Sequence, residues 1–323
     1  MSAGARVFVV VLNWRAPAQA ERCARSALAS EGAEVDLLIV ENGSGDGSAD
    51  ELRALFGIDR VAARSANGGY AGGMNEGLER WLHGSDAPFA LLVTQDVVLD
   101  PVAIAELCRA LEADPRLGVV GPLVHLADAD ATLFSAGGTL DPRRLRIAQL
   151  RSVPAHAAAA RVPYPVDWVD GCCLLLRREA IASVGVLDER YFMYFEEVDL
   201  CRRLAERGWG AAVAPRARVT QEKPARRPAR YAYFMARNRY LFWKERFRAD
   251  AVRVGLGLAL DTARYAAAMA RAWLQPARRA HQEVGLGALG REIGGALRGT
   301  RDYLTGRMGP EGGPPGSGPT RRA

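Results

Sequence analysis

A chain of 323 residues, 49% hydrophobic and 25% charged, has the composition of an ordinary globular protein and can bury a full core, as one large domain with an appendage or as two moderate ones. Its net charge of +6 is unevenly spread: residues 1–200 hold 18 basic and 28 acidic side chains, residues 201–323 hold 25 and 9. The basic C-terminal part suits an anionic lipid surface or a phosphorylated substrate, or else is an arginine-rich solvated face, and the chain has no zinc-finger, RNP-like or basic-zipper pattern that would mark nucleic acid as a partner.

Val7–Leu12 is a continuous β-rich apolar run, the mark of a strand buried on both faces, and it ends at Asn13 and Trp14 before a helix predicted to open near Pro17. A second such run, Val35–Val40, ends in the polar loop Glu41–Ser48. A third strand is expected at Val61–Ala62, and a fourth, Phe89–Val93, stops at Thr94-Gln95-Asp96. Strands alternating with helices imply a parallel sheet with helices on both faces, whose ligands sit at the carboxyl ends of the strands. Asn13, Glu41, Asn42 and Asp96 all fall at those ends. Residues 117–176 read as shorter strands and loops, with turns at Gly137-Gly138 and Asp141-Pro142, and close on the buried run Cys172–Leu176. From Tyr231 to about Tyr303 the pattern is helical, and Met308–Ala323, crowded with Gly and Pro, is expected to be disordered.

Asn67–Gly77 holds five glycines in eleven residues, which let backbone amides approach a phosphate or sugar, with a helix expected from Leu78. It has neither a Walker Gly-Lys-Ser/Thr nor a Gly-x-Gly-x-x-Gly at a first strand, and a flexible turn is the alternative. Asp96 at a strand end suits a magnesium or manganese ion bridging a diphosphate, whereas Asp100-Pro101 reads as a helix cap. In Tyr191–Leu204, Glu196, Glu197 and Asp199 crowd beside Phe192, Tyr194 and Phe195. Burial and mutual repulsion raise a carboxyl toward the range of a general base; a helix N-terminus that favours acids is the alternative. Five scattered cysteines without a Cys-x-x-Cys pair, and four histidines, argue against a zinc site or disulfide framework. No run approaches the length of a membrane span and residues 1–15 lack a signal-peptide layout, so the cytoplasm is the expected compartment.

In this order the pieces resemble the family 2 glycosyltransferases of the GT-A fold, in particular the bacterial rhamnosyltransferase-like branch, over residues 7 to about 245. Val10–Asn13 looks like the first-strand nucleotide motif, and Val40–Ser48 resembles the base-binding loop, with Glu41 in place of the usual Asp. Asn67–Gly77 is similar to the glycine-rich loop near the ribose and diphosphate, which places Asn67, Gly68, Gly69, Gly72, Gly73 and Asn75 beside the donor. Thr94-Gln95-Asp96 stands where the family has its metal signature, with only the last carboxylate kept. Trp168–Arg177 resembles the acceptor-side strand, which assigns Trp168, Asp170 and Gly171 to the acceptor. Phe195–Asp199 resembles the motif that carries the base, with Glu197 as base, Asp199 in reserve and Glu196 as a positioning contact. Tyr233–Tyr240 is similar to the basic-aromatic segment that follows and adds Arg237 to the acceptor side. Where the family often has a His after Ala-Arg-Val, this chain has Thr220-Gln221-Glu222, so Glu222 is a substitute metal ligand or the cation rests on Asp96 and the donor alone.

The resemblance implies a catalytic domain over 1–230, a helical extension over 231–307 and a tail over 308–323. It implies an inverting transfer from a nucleotide sugar such as dTDP-rhamnose, with Mg2+ or Mn2+ as cofactor, to a cell-surface glycan or polyprenyl-linked precursor. A UDP-hexose donor, a natural-product acceptor and a non-catalytic nucleotide-sugar-binding protein are the other readings. In the extension, aromatics from Tyr231 to Phe247 interleave with arginines, and Ala251–Trp273 continues as an amphipathic helix; a contact with the inner membrane surface and a helical pair packed on the domain or in a dimer both fit.

Overall fold

A computed structural model describes residues 4–222, 230–273 and 286–310 and divides them between two compact units. The first comprises the chain to Leu140, Ile147–Glu189 and Glu196–Pro224; the second comprises Asp141–Arg146, Arg190–Phe195 and the chain from Ala225.

In the first unit β1 (Ala5–Asn13), β2 (Ala33–Glu41), β3 (Val61–Ala63) and β4 (Phe89–Thr94) pair in parallel in the order β3-β2-β1-β4. The side chains of β1 are buried from Val7 to Asn13 because both faces of the sheet are covered. Val7, Val9 and Val11 pack with α1 (Pro17–Leu28), which Pro17 opens at its first position, and with α4 (Ala103–Ala113). Val10 and Leu12 face α3 (Gly69–Gly84), where a Cβ on Gly77 would lie 2.6 Å from Val10 Cγ2 and one on Gly73 would overlap Leu12. α2 (Ser48–Phe56) packs on α1 and β3.

After the short β5 (Val97–Leu99), the sheet continues through β6 (Leu117–Leu126), β11 (Cys173–Arg177) and β12 (Gly210–Gln221), with β7 (Leu133–Ser135) and β10 (Tyr164–Val166) at its margins. β8 (Gly138–Asp141) and β9 (Arg146–Gln149) form a separate hairpin around the expected Asp141-Pro142 turn, and α5 (Ala155–Ala160) precedes β10. β6 and β12 pair in parallel, but β11 runs antiparallel to both β4 and β6. Its reversal brings the start of β11 to the carboxyl edge of β4, where Thr94 N donates to Cys172 O at 3.0 Å. α6 (Arg178–Val184) and α7 (Glu196–Glu206) complete the unit.

Two sequence expectations shift. Asp100 makes no side-chain cap, because Pro101 and Val102 form a turn and α4 opens only at Ala103. The glycine-rich segment is no loop before a helix at Leu78: α3 begins at Gly69, and Gly73 and Gly77 are the positions at which helix and strand approach too closely for a side chain.

The second unit contains α8 (Tyr231–Phe247), α9 (Ala251–Trp273) and α10 (Leu286–Leu304). α8 packs on α10 through Gly295 and Gly299, and Tyr240 stacks on Tyr303 with ring centroids 5.0 Å apart. Tyr233, Phe234, Tyr240, Phe242 and Trp243 are all buried, so the aromatics of α8 form a protein core and not a bilayer face. Of the tail expected from Met308, all beyond Pro310 lies outside the described residues.

Candidate active site

The parallel register sets Asn13 beside Glu41 and Leu12 beside Thr94, so the polar residues that end β1, β2 and β4 converge on one edge of the sheet. Asn13 is fully buried, and neither its Nδ2 nor its Oδ1 has a protein partner. Glu41 closes its own loop, with Oε1 accepting from Ser44 N at 3.0 Å and from the Ser44 hydroxyl. Asn42 is spent on the glycine segment: its Nδ2 donates to Gly69 O at 2.9 Å and Asn67 Oδ1 at 3.2 Å, and its Oδ1 accepts from Gly68 N at 3.1 Å. Asn67 Oδ1 also accepts from Gly69 N at 2.7 Å. Asn42 and Asn67 thus fix the start of α3 and consume the amides of Gly68 and Gly69.

Asn75, grouped by sequence with the donor contacts, instead ties α3 to Leu187, donating to its carbonyl and accepting from its amide, both at 2.9 Å, and donates to Glu189 at 3.0 Å. Arg64 was not expected at the site. Its amide donates to Glu41 O at 2.9 Å, and its guanidinium lies over the first turn of α3, where a Cβ on Gly68 would stand 2.9 Å from Nη2. Its sequence context gives no signal; only the pairing of β3 with β2 places it there.

Asp96 lies at the same edge. Its Oδ1 accepts from Thr94 Oγ1 at 2.5 Å and its Oδ2 from Gln221 Nε2 at 2.9 Å. Glu222, the expected substitute ligand, is committed elsewhere: Arg22 forms an ion pair with it and Gln19 donates to it at 2.6 Å, and Arg22 first and Gln19 second hold its carboxyl below the usual range. The residue that meets Asp96 is Gln221, a neutral amide donor. Among the described residues no three His, Cys, Asp or Glu side chains stand together as a metal site. One carboxylate with two neutral donors falls short of a metal centre built by the protein alone, and Asp96 would hold a magnesium or manganese ion only together with the donor diphosphate.

The three acids of α7 separate into three environments. Asp199, fully buried, is paired at 2.8 Å with Arg203, whose guanidinium also caps the carbonyls of Val184, Gly185 and Val186. Glu196 is 4% exposed with Oε2 unpartnered; burial, and next the charge of Glu197, push its carboxyl well up. Glu197 alone is half-buried. A Cβ on Gly171 would sit 3.6 Å from Glu197 Cδ and 3.6 Å from the hydroxyl of Tyr70, which donates to Gly171 O at 2.5 Å. Gly171 precedes Cys172, whose carbonyl accepts from Thr94 N at 3.0 Å, so a chain of contacts runs from Glu197 through Gly171, Cys172 and Thr94 to Asp96. Tyr70, in the first turn of α3, escaped the sequence reading because it lies between glycines.

The remaining acceptor-side candidates are structural in their contacts. Asp170 makes a local turn, accepting from Cys172 N and Gln149 Nε2, each at 3.1 Å. Trp168 packs on Gly138, where any Cβ would overlap its ring, and its Nε1 is buried without a partner. Arg237 is fully buried in the second unit and donates to the carbonyls of Arg190 and Tyr191, so it is not an exposed acceptor contact. All five cysteines are free and buried.

A sheet with an inserted antiparallel strand and this polar carboxyl edge define the GT-A glycosyltransferase fold. The fold is similar to that of a mannosyltransferase from Pyrobaculum calidifontis in complex with GDP-Man and Mn2+, with a TM-score of 0.57 and 15% identity over 94% of this chain and 88% of that one. It is also similar to GalNAc-T7 with UDP, GalNAc and Mn2+, with a TM-score of 0.57 and 13% identity over 73% of this chain but only 48% of that one. The chain belongs to glycosyltransferase family 2: residues 5–240 match the model for "Glycosyltransferase like family 2". It is 29% identical over 244 residues, 66% of this chain and 75% of the relative, to the N-acetylglucosaminyl-diphospho-decaprenol L-rhamnosyltransferase of Mycobacterium tuberculosis. To the low-salt glycan biosynthesis hexosyltransferase Agl10 of Haloferax volcanii it is 24% identical over 179 residues, about half (52%) of each chain.

Proposed function

We propose that this chain is an inverting glycosyltransferase that moves a sugar, rhamnose from dTDP-rhamnose, to a hydroxyl of a polyprenyl-linked precursor of a cell-surface glycan. The observation that carries this reading is the patch at Gly171, where a half-buried carboxylate stands next to the strand-end edge that ends in Asp96 and Asn13. An unpaired buried amide calls for a partner, and a nucleotide at this edge supplies one for Asn13. The relative named for rhamnosyl transfer to a decaprenol-linked sugar supports the choice of donor and acceptor.

Glu197 takes the proton of the acceptor hydroxyl as its oxygen attacks the anomeric carbon. The bond from that carbon to the diphosphate breaks, the electron pair leaves on the nucleoside diphosphate, and single displacement inverts the centre. Arg64 and the unspent amides in the first turn of α3 meet the developing negative charge. Gly171 leaves the space beside Glu197 open for the acceptor. We place a contact of the second unit with the inner membrane surface along α9. Val252, Leu256 and Leu260, four residues apart and 71%, 61% and 59% exposed, form one apolar stripe beside the exposed Arg253 and Arg264. No described helix is long and apolar enough to cross a membrane.

The test is release of nucleoside diphosphate from a panel of nucleotide sugars, with and without manganese, alongside thermal shifts. Selective turnover of dTDP-rhamnose is the expected result. Binding without any release would make the protein a nucleotide-sugar binder instead.

A further inference from the structure

Three residues just before α7 hold backbone angles that side chains with a Cβ seldom adopt: Phe192 at φ +63°, Tyr194 at +68° and Phe195 at +76°. Such residues persist only where their surroundings over-determine them. Within the second unit, two adjacent side chains of α8 do so. Asn238 Nδ2 reaches three carbonyls of the segment, Tyr191 at 2.9 Å, Met193 at 2.7 Å and Tyr194 at 2.7 Å. Arg237 Nη2 donates to Arg190 O at 2.9 Å and Tyr191 O at 2.6 Å, and its Nε donates to Asn238 Oδ1 at 2.9 Å, fixing the amide. Phe192 stacks on Phe234, and Phe195 packs on Phe242. Arg237 and Asn238 are both fully buried, and a buried carbonyl left without a donor is destabilising.

We infer that Arg237 and Asn238 are positioning residues for Glu197: by holding the carbonyls of Arg190, Tyr191, Met193 and Tyr194 they fix the strained segment that leads into α7. The effect runs along the chain, since Phe195 and Glu196 are consecutive and Glu197 is the next residue. The inference rests on Glu197 being the base. It explains why an arginine in a basic segment faces inward, and why the aromatics beside the acids pack on α8.

The experiment compares wild type with Asn238→Asp, which keeps shape and size but removes the donor, and with the double variant Asn238→Asp, Tyr194→Gly. Backbone hydrogen exchange over residues 190–197 and steady-state kinetics are the two readouts. In Asn238→Asp, exchange over 190–197 should rise selectively and kcat should fall about ten- to a hundredfold, with the donor KM within about twofold, as a displacement of a catalytic group by an ångström implies. Glycine at position 194 removes one strained side chain and should restore part of the lost kcat. Unchanged exchange and kcat in Asn238→Asp would overturn the inference, as would an equal loss in kcat and donor affinity with general loss of protection. A wild-type protein that turns over no nucleotide sugar would overturn the assignment of Glu197, whereas selective deprotection of 190–197 would still establish the clamp.

Discussion

Glu197→Gln and Asp199→Asn, two isosteric changes two residues apart, separate chemistry from structure in the acidic cluster. Glu197 is half-buried beside Gly171, and the amide keeps its shape while removing its basicity. A general base contributes about 10²–10⁴ in rate, or roughly 3–5 kcal/mol of barrier. Asp199 is fully buried and its partner Arg203 is 13% exposed, so Asp199→Asn strands a guanidinium that also holds the end of α6. Breaking a buried pair costs about 3–5 kcal/mol, which for a unit of roughly 200 residues is a fall of about 6–20 °C in Tm. Glu197→Gln should therefore lose at least about a hundredfold in kcat at largely unchanged nucleotide affinity, with a smaller fall in Tm than Asp199→Asn. Asp199→Asn should lose Tm and keep kcat within a few-fold at a temperature where it remains folded. Calorimetry and a coupled assay for nucleoside diphosphate read both. The reverse pattern, with Asp199→Asn inactive but stable, would falsify the assignment and move the base to Asp199.

Glu196 makes stability depend on pH. Its carboxyl is pushed up by burial and then by Glu197, so the folded protein holds this proton more tightly than the unfolded chain. The resulting stability is fully present below the unfolded value near 4.5 and is lost as pH rises through the folded value. Glu196→Gln should flatten that decline in a series of melts from acid to neutral pH; an unaltered slope would show that another group causes it. Gln221→His sets an imidazole beside Asp96 and should raise Mn2+ affinity at least about tenfold above pH 7, with the gain lost as the ring protonates; titration calorimetry that finds equal affinity would refute the geometry of this edge. Leu256→Glu with Leu260→Glu should abolish flotation with anionic vesicles at low salt. Wild-type protein that does not float would remove the membrane contact along α9.

The strand-end chemistry was legible in sequence because each buried parallel strand is a run of apolar residues that ends abruptly in a polar one. Asn13, Glu41 and Asp96 could be placed on one edge from that pattern, and Glu197 was singled out by a local motif. The functions of the neighbours were not legible. Asn42, Asn67 and Asn75 have the composition of ligand contacts, yet two lock the start of α3 and the third ties it to Leu187. Whether an amide faces a ligand or a backbone carbonyl depends on partners distant in the chain. The same reason hid Arg64, Tyr70 and the meeting of Gln221 with Asp96, and it hid the burial of Arg237, expected on the acceptor side. Sequence alone determined the order of strands and helices, the polar edge and the acidic cluster, since periodicity and composition are local properties. Only the tertiary structure decided which acid of the three is half-buried beside Gly171, because burial and pairing are set by what packs against each side chain.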